Sequence, residues 1–194
     1  MEITSEAIKT LRDQTGISVM QCKKALEEAG GDMEKALVIL RKKGGEAAAK
    51  KSDRVLGAGA IGSYVHSTHE VGAMVILSSE TDFVAKNQDF IALAREIAMH
   101  VAATNPKALT RDEISDTEVA KAREVFAKEA EGKPADMIEK IVDGKLNSYF
   151  KEQVLLSQNY IKDPERTIED LLNGATQKFG ERVAIQSFQR LSVK

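Results

Sequence analysis

Apolar positions in the first 43 residues recur at helical spacing in three short runs, each closed by glycine. Ile8 and Leu11 mark a first helix ending at Thr15-Gly16. Ser18 is placed to cap a second, with Gln21 three positions on completing a capping box, and Val19, Cys22, Leu26 and Ala29 fall on one face. Gly30-Gly31 closes that helix. Asp32 caps a third, whose stripe of Met33, Ala36, Leu37 and Leu40 stops at Gly44-Gly45. Such a bundle buries little surface and is only marginally stable alone. Residues 44–56, with Ala47-Ala48-Ala49-Lys50-Lys51, read as a basic linker with helical character.

From Gly57 the period changes. Ala60 to His66 and Val71 to Leu77 are β-rich runs separated by Ser67-Thr68-His69-Glu70, the layout of an antiparallel hairpin whose second strand is the more buried. Phe90, Leu93, Ala94, Ile97, Ala98 and Val101 return to helical spacing, so the chain passes from strand to helix within Ser79 to Asn87. Thr110 and Glu113 form a further capping box ahead of a charged helix over about 117–131. Gly132-Lys133-Pro134 turns the chain. Met137, Ile138, Ile141, Val142, Leu146 and Tyr149 then line a second helix, and the two predict a projecting helical hairpin over about 117–150. Thr167 with Asp170 opens an amphipathic helix through Ile168, Leu171, Leu172, Ala175 and Phe179, and Arg182 to Leu191 reads as a last strand that completes the sheet. The expected class is α+β: a three-helix bundle over 1–43, the linker over 44–56, and a core domain over 57–194 in which a small antiparallel sheet packs on helices.

Composition narrows the range of functions. With 42% hydrophobic and 30% charged residues, the 194-residue chain is globular, and its apolar runs are too short to span a bilayer. Met1 to Glu6 shows no secretory or transit pattern, and the single cysteine, Cys22, fits a reducing compartment, so the cytoplasm is the expected location. A net charge of -2 speaks against broad capture of nucleic acid and points to protein partners.

Chemistry has few footholds. His66 and His69, with Glu80 and Asp82 near in sequence, are of metal-ligating types, but two histidines three apart on a turn need not converge and no cysteine supports them. Cys22 lies on an apolar helical face with no adjacent histidine, as expected of a core thiol rather than a nucleophile. A phosphate-binding loop is missing, and Gly57-Ala58-Gly59 lacks the rest of a dinucleotide fingerprint, so no cofactor is expected. The run Ser79-Glu80-Thr81-Asp82-Phe83-Val84-Ala85-Lys86-Asn87 sets an aromatic residue among polar neighbours at a helix start. Read alone, Phe83 is a staple packing on the core.

Two runs carry a family resemblance. Thr81-Asp82-Phe83-Val84-Ala85-Lys86-Asn87 after an apolar strand resembles the second signature of bacterial translation elongation factor Ts. Leu11-Arg12, Thr15-Gly16, Met20 and Cys22-Lys23-Lys24-Ala25-Leu26 resemble the first, in the same order and at the expected separation. Similarity continues through Lys50-Lys51, Gly62 to His66, Met99 to Ala102, Gly132-Lys133-Pro134 and Lys162-Asp163-Pro164, nearly the whole chain. The N-terminal run departs from the family's usual Ala-Gly-Met-Met-Asp, with Ile17-Ser18-Val19-Met20-Gln21 in its place. Many members carry two related core subdomains, whereas this chain has room for one, as in the short form.

The resemblance implies a guanine nucleotide exchange factor for elongation factor Tu, binding it GDP-bound and nucleotide-free, with no bond made or broken and no direct nucleic-acid or membrane partner. It implies a ubiquitin-associated-like first domain that docks on Tu through Arg12, Val19, Met20 and Lys23. Phe83 becomes a wedge beside Tu's magnesium ion, posed by Thr81, Asp82 and Val84, with Lys51 and His66 as further contacts. A homodimer would supply the missing second core. Two other readings stay open: a ubiquitin-associated-like adaptor with a dimerisation scaffold, and a small hydrolase or metal-dependent enzyme built around His66, His69 and Asp82.

Overall fold

The structure is a computed structural model and describes residues 3–193, apart from the side chains of residues 135 and 136. Met1 and Glu2, which open the segment read above for a leader, and Lys194 lie outside the described residues. The fold is α+β, with helices, a three-stranded antiparallel sheet in the order β1 (Ala58–Val65), β2 (Val71–Ser79), β5 (Ala184–Ser192), and a two-stranded sheet of β3 (Asn159–Tyr160) and β4 (Asp163–Thr167). The chain divides into two compact units. One comprises Met1–Gly62, Ile76–Ala94 and Glu169–Gln186, and the other Ser63–Val75, Arg95–Ile168 and Ser187–Lys194.

In the first unit, helices α1 (Ser5–Thr15), α2 (Val19–Glu28) and α3 (Met33–Ala49) pack around Leu11, Ile17, Cys22, Ala25, Leu26, Ala36 and Leu40. Leu11 and Leu26 are wholly buried, each worth roughly 1.5–3 kcal/mol of transfer free energy. The caps explain the boundaries. Thr4, Ser18 and Asp32 accept from the backbone N–H three residues on, and Gly16 closes α1 in the left-handed region that favours glycine. Two expectations are corrected. Val19 stands 49% exposed rather than on the buried face, because the first turn of α2 overhangs the core that Cys22 and Leu26 enter. The third helix continues through Gly44-Gly45 to Ala49, because Gly44 is buried against α8 (Ile168–Phe179) and needs no turn.

Strand β1 (Ala58–Val65) forms a hairpin with β2 (Val71–Ser79), the N–H of His66 donating to the Val71 carbonyl at 2.8 Å and His69 holding the turn at φ 59°. Ala73, Val75, Leu77 and Ser79, alternate residues of β2, are buried. Within the first unit Phe90 is wholly buried and meets Phe179 of α8 edge-on at 5.9 Å. The strand β5 (Ala184–Ser192) follows α8 where the pattern places it. The expected single helix after β2 is two, a one-turn α4 (Asp82–Ala85) and the long α5 (Gln88–Thr104).

The second unit holds the helical hairpin, α6 (Asp116–Glu129) and α7 (Ala135–Gln153), closed over Ala108, Ile114, Ala130, Val142, Leu146, Phe150 and Val154. The cap of α6 is Ser115, whose hydroxyl accepts from the Glu118 N–H, and not Thr110, which makes no side-chain cap. Glu113 instead takes the N–H of Leu109 at 2.7 Å. The short strands β3 (Asn159–Tyr160) and β4 (Asp163–Thr167) pair antiparallel ahead of α8.

Candidate functional site

The strand-to-helix passage after β2 builds the candidate site. Val84 and Ala85 of α4 are buried, at 4% and 6% exposure, and anchor the turn. Phe83 between them and the strand is 82% exposed. It is therefore no staple, and a phenyl ring held in water by buried neighbours is what an interaction surface displays.

A reciprocal clasp fixes the base of that turn. Thr81, at the N-cap of α4, makes no side-chain cap to the helix. Its N–H and hydroxyl donate to the two carboxylate oxygens of Glu181, at 3.0 and 2.6 Å. Its carbonyl accepts from the Ser79 hydroxyl at 3.0 Å. In return, Glu80 accepts the N–H of Arg182 at 2.6 Å, and Arg54 places Nη1 3.1–3.2 Å from both of its oxygens. Arg182 in turn donates to the Arg54 carbonyl at 2.6 Å. The Arg182 N–H, with Arg54 and Lys51 behind it and burial opposing, holds the Glu80 carboxyl below its usual range. Lys51 thus belongs to the electrostatic surroundings of Glu80. Asp82 is exposed and also lowered, by the ammonium of Lys86 at 2.6 Å. Sequence reasoning missed Arg54, Glu181 and Arg182. The only local signal was a charged pair after Gly180, where α8 gives way to β5.

Arg12, Val19, Met20 and Lys23 are exposed on the bundle, Val19 and Lys23 one helical turn apart. Met20 is 63% exposed. Burial pushes the Cys22 thiol up, with the Thr15 hydroxyl and the charge of Arg12 opposing, as for an inert core cysteine. Helix α8 ties the bundle to the rest of this unit. Gln177 donates to Gln21 at 2.7 Å, and Lys178 packs on Gly16 while its ammonium meets Asp89 of α5 at 2.8 Å. This is where Gln21 directs its side chain instead of completing the capping box.

His66 lies in the second unit, exposed, its Nδ1 3.1 Å from the Tyr64 hydroxyl. Among the described residues no group of three or more His, Cys, Asp and Glu comes together to hold a metal ion, and no helix is long and apolar enough to cross a membrane.

Comparison with known proteins matches residues 1–194 to the family described as Elongation factor TS. The elongation factor Ts of Acetivibrio thermocellus is 45% identical over 190 residues, covering 97% of this chain and 88% of that protein. That of Thermoanaerobacter sp. (strain X514) is 46% identical, with 97% and 93% covered. That of Thermodesulfovibrio yellowstonii is 45% identical over 194 residues, with 100% and 97% covered. With both signature runs in place and identity sustained across both units, the chain belongs to the elongation factor Ts family.

Proposed function

We propose that this translation elongation factor acts as the guanine nucleotide exchange factor of elongation factor Tu: it binds the GDP-bound GTPase, displaces its magnesium ion and promotes GDP release so that GTP can enter. The observation that carries the reading is Phe83, 82% exposed on a turn whose neighbours are buried and clasped. In such GTPases a magnesium ion bridges phosphate oxygens and protein ligands and neutralises charge, so a rigid apolar group driven in beside it loosens the nucleotide. A fixed mount matters because ordering a loose one would consume docking energy. Coupling is reciprocal: what the factor takes from GDP affinity, GDP takes from the factor's, a factor of ten for each ~1.4 kcal/mol. GTP binding then expels the factor. No covalent bond is made, so the chain is not an enzyme.

In this reading residues 1–43 are the Tu-docking bundle, presenting Arg12, Val19, Met20 and Lys23. Asp82 and Thr81 pose the wedge, Val84 anchors it, and Lys51 and His66 make outlying contacts. The core over 57–194 pairs with a second copy, and the protein works in the cytoplasm. A hollow of about 310 Å³ in the first unit, lined by Gly57 to Ile61, Ile76, Ser78 and Gln186, supports self-association, since Ile61 is 60% exposed beside it. The test is the rate at which fluorescent GDP leaves purified Tu. The protein accelerates it and Phe83→Ala loses most of the acceleration; exchange at the wild-type rate in that variant overturns the wedge.

A further inference from the structure

We propose that Glu181 is a positioning residue for exchange: by taking both the N–H and the hydroxyl of Thr81, its carboxylate fixes the direction in which α4 presents Phe83. The proposal rests on the reading of Phe83 as the group that acts on the partner.

Helix α4 is short. Four residues make one helical turn, too short to hold its own geometry by backbone hydrogen bonds. The orientation of Phe83 must come from what grips the turn. Downstream, Val84 and Ala85 are buried and set its depth, but two small apolar side chains leave rotation about the strand-helix junction weakly determined. Upstream, each polar backbone atom of Thr81 has a partner: the carbonyl receives Ser79 and the Ala85 N–H, and the N–H goes to Glu181. The Thr81 hydroxyl is the informative group. At an N-cap it would ordinarily accept from the helix it begins, and here it donates outward to a carboxylate 100 residues away. Two charge-assisted bonds to one residue define a plane as well as a point, and a plane is what an aimed side chain needs. Glu181 follows Gly180, at φ 72°, and precedes Arg182, whose own N–H is held by Glu80. The clasping carboxylate is thus itself fixed by the segment it clasps.

Removing it frees the Thr81 hydroxyl to swing back as an ordinary cap, and Phe83 then samples a wider cone. Two measurements test this. The chain contains no tryptophan, so Phe83→Trp installs a single indole reporter. Its fluorescence anisotropy is expected to fall when Glu181→Ala is added, with circular dichroism unchanged. In GDP release from Tu, Glu181→Ala in the otherwise unaltered protein is expected to lower the rate at saturating factor roughly tenfold while the half-saturating concentration moves less than about threefold. Glu181→Gln, whose amide can accept only one of the two bonds, falls between, and serves if the alanine variant does not fold. In a Phe83→Ala background Glu181→Ala is expected to change nothing further, since it acts through the missing ring. Glu181 variants with wild-type anisotropy and exchange overturn the assignment, as does an equal loss with or without Phe83. Wild-type protein that leaves GDP release unchanged overturns the exchange reading and this role together, whereas acceleration that Phe83→Ala abolishes and Glu181 variants retain overturns only this role.

Discussion

Gly44, inside α3, lies against the backbone of Asn173 on α8: a Cβ at Gly44 would come within 3.3 Å of the Asn173 carbonyl oxygen and 3.2 Å of Gln177 Oε1. The glycine is there for the close approach of two helices. Through that contact, the Gln177 bond to Gln21 and the Lys178 contact at Gly16, the bundle that presents Val19 and Met20 is docked on a helix of the unit that also carries Phe83.

Neighbouring glycines in α3 should therefore respond oppositely to substitution. Gly45 has its nearest foreign atom at 3.9 Å, so Gly45→Ala meets no obstacle and gains helix propensity, stabilising by roughly 0.5–1 kcal/mol. Gly44→Val drives two methyl groups into α8 and is expected to cost about 1–3 kcal/mol. Chemical denaturation of both variants checks the pair. Equal effects would mean that α3 and α8 do not meet closely in solution.

Phe83 and Val84 make a similar contrast on α4. Phe83→Ala removes a ring that water already surrounds, so unfolding free energy should change by less than about 0.5 kcal/mol. Val84→Ala empties a buried site and should cost roughly 1.5–3 kcal/mol. For a chain of this length each kcal/mol moves the midpoint by about 2–4 °C, so thermal melts separate the two. A large stability loss in Phe83→Ala would show that the ring packs on the protein and is not displayed.

Much of this arrangement is readable along the chain, for a physical reason. Helices α1, α2, α7 and α8 turn one apolar stripe each to the core, so their 3.6-residue period is printed in the sequence, and the hairpin of β1 and β2 announces itself by its turn. What escapes is tertiary. Gly44-Gly45 has the form of a helix stop and is a packing contact; Val19 has the phase of a core residue and overhangs the core. The strand β4 contains Pro164, which breaks a strand pattern and is tolerated in a two-stranded pair. At the candidate site, the passage from strand to helix around Phe83 is legible, but by itself Phe83 reads as a staple, and it is the resemblance, not the local pattern, that makes it a displayed ring. The clasp of Glu80-Thr81 with Glu181-Arg182 joins residues about a hundred positions apart, and its local trace is no more than the charged pair after Gly180.

Gly59 should tolerate no side chain. A Cβ there would lie 2.6 Å from the Leu77 carbonyl oxygen, a backbone atom of the neighbouring strand that cannot move without displacing β2. Gly59→Ala is expected to cost about 1–3 kcal/mol through this overpacking. Because β2 leads directly into Glu80 and Thr81, the displacement should also loosen the clasp. Hydrogen exchange read at the Thr81 and Arg182 amides would show faster exchange than in the parent protein, and unchanged protection at both would mean that the strand yields elsewhere.

His100 should weaken the second unit in mild acid. His100 is wholly buried; its Nδ1 accepts from the Ile161 N–H at 3.4 Å, which leaves Nε2 to donate to Gln158 Oε1 at 2.8 Å. Gln158 is committed as well, accepting from the Thr104 hydroxyl at 2.9 Å and donating to the Glu152 carbonyl at 2.6 Å. A proton on Nδ1 would face another donor inside the core. Burial accordingly pushes the His100 imidazole below its usual range, with the Gln158 bond only partly opposing. In the unfolded chain the ring protonates near about pH 6.5. Between that value and the lower native one the unfolded state holds the extra proton, so stability rises with pH in that window: the contribution is complete above about 6.5 and is lost on acidification by up to ~1.4 kcal/mol per pH unit. His100→Leu abolishes the titration while leaving the Ile161 amide unpartnered, so it should be less stable than the parent at pH 7.5, with the gap narrowing at pH 5. Denaturation at the two pH values measures that gap directly. A gap of the same size at both would mean that His100 gains its proton as easily in the folded protein as in the unfolded one.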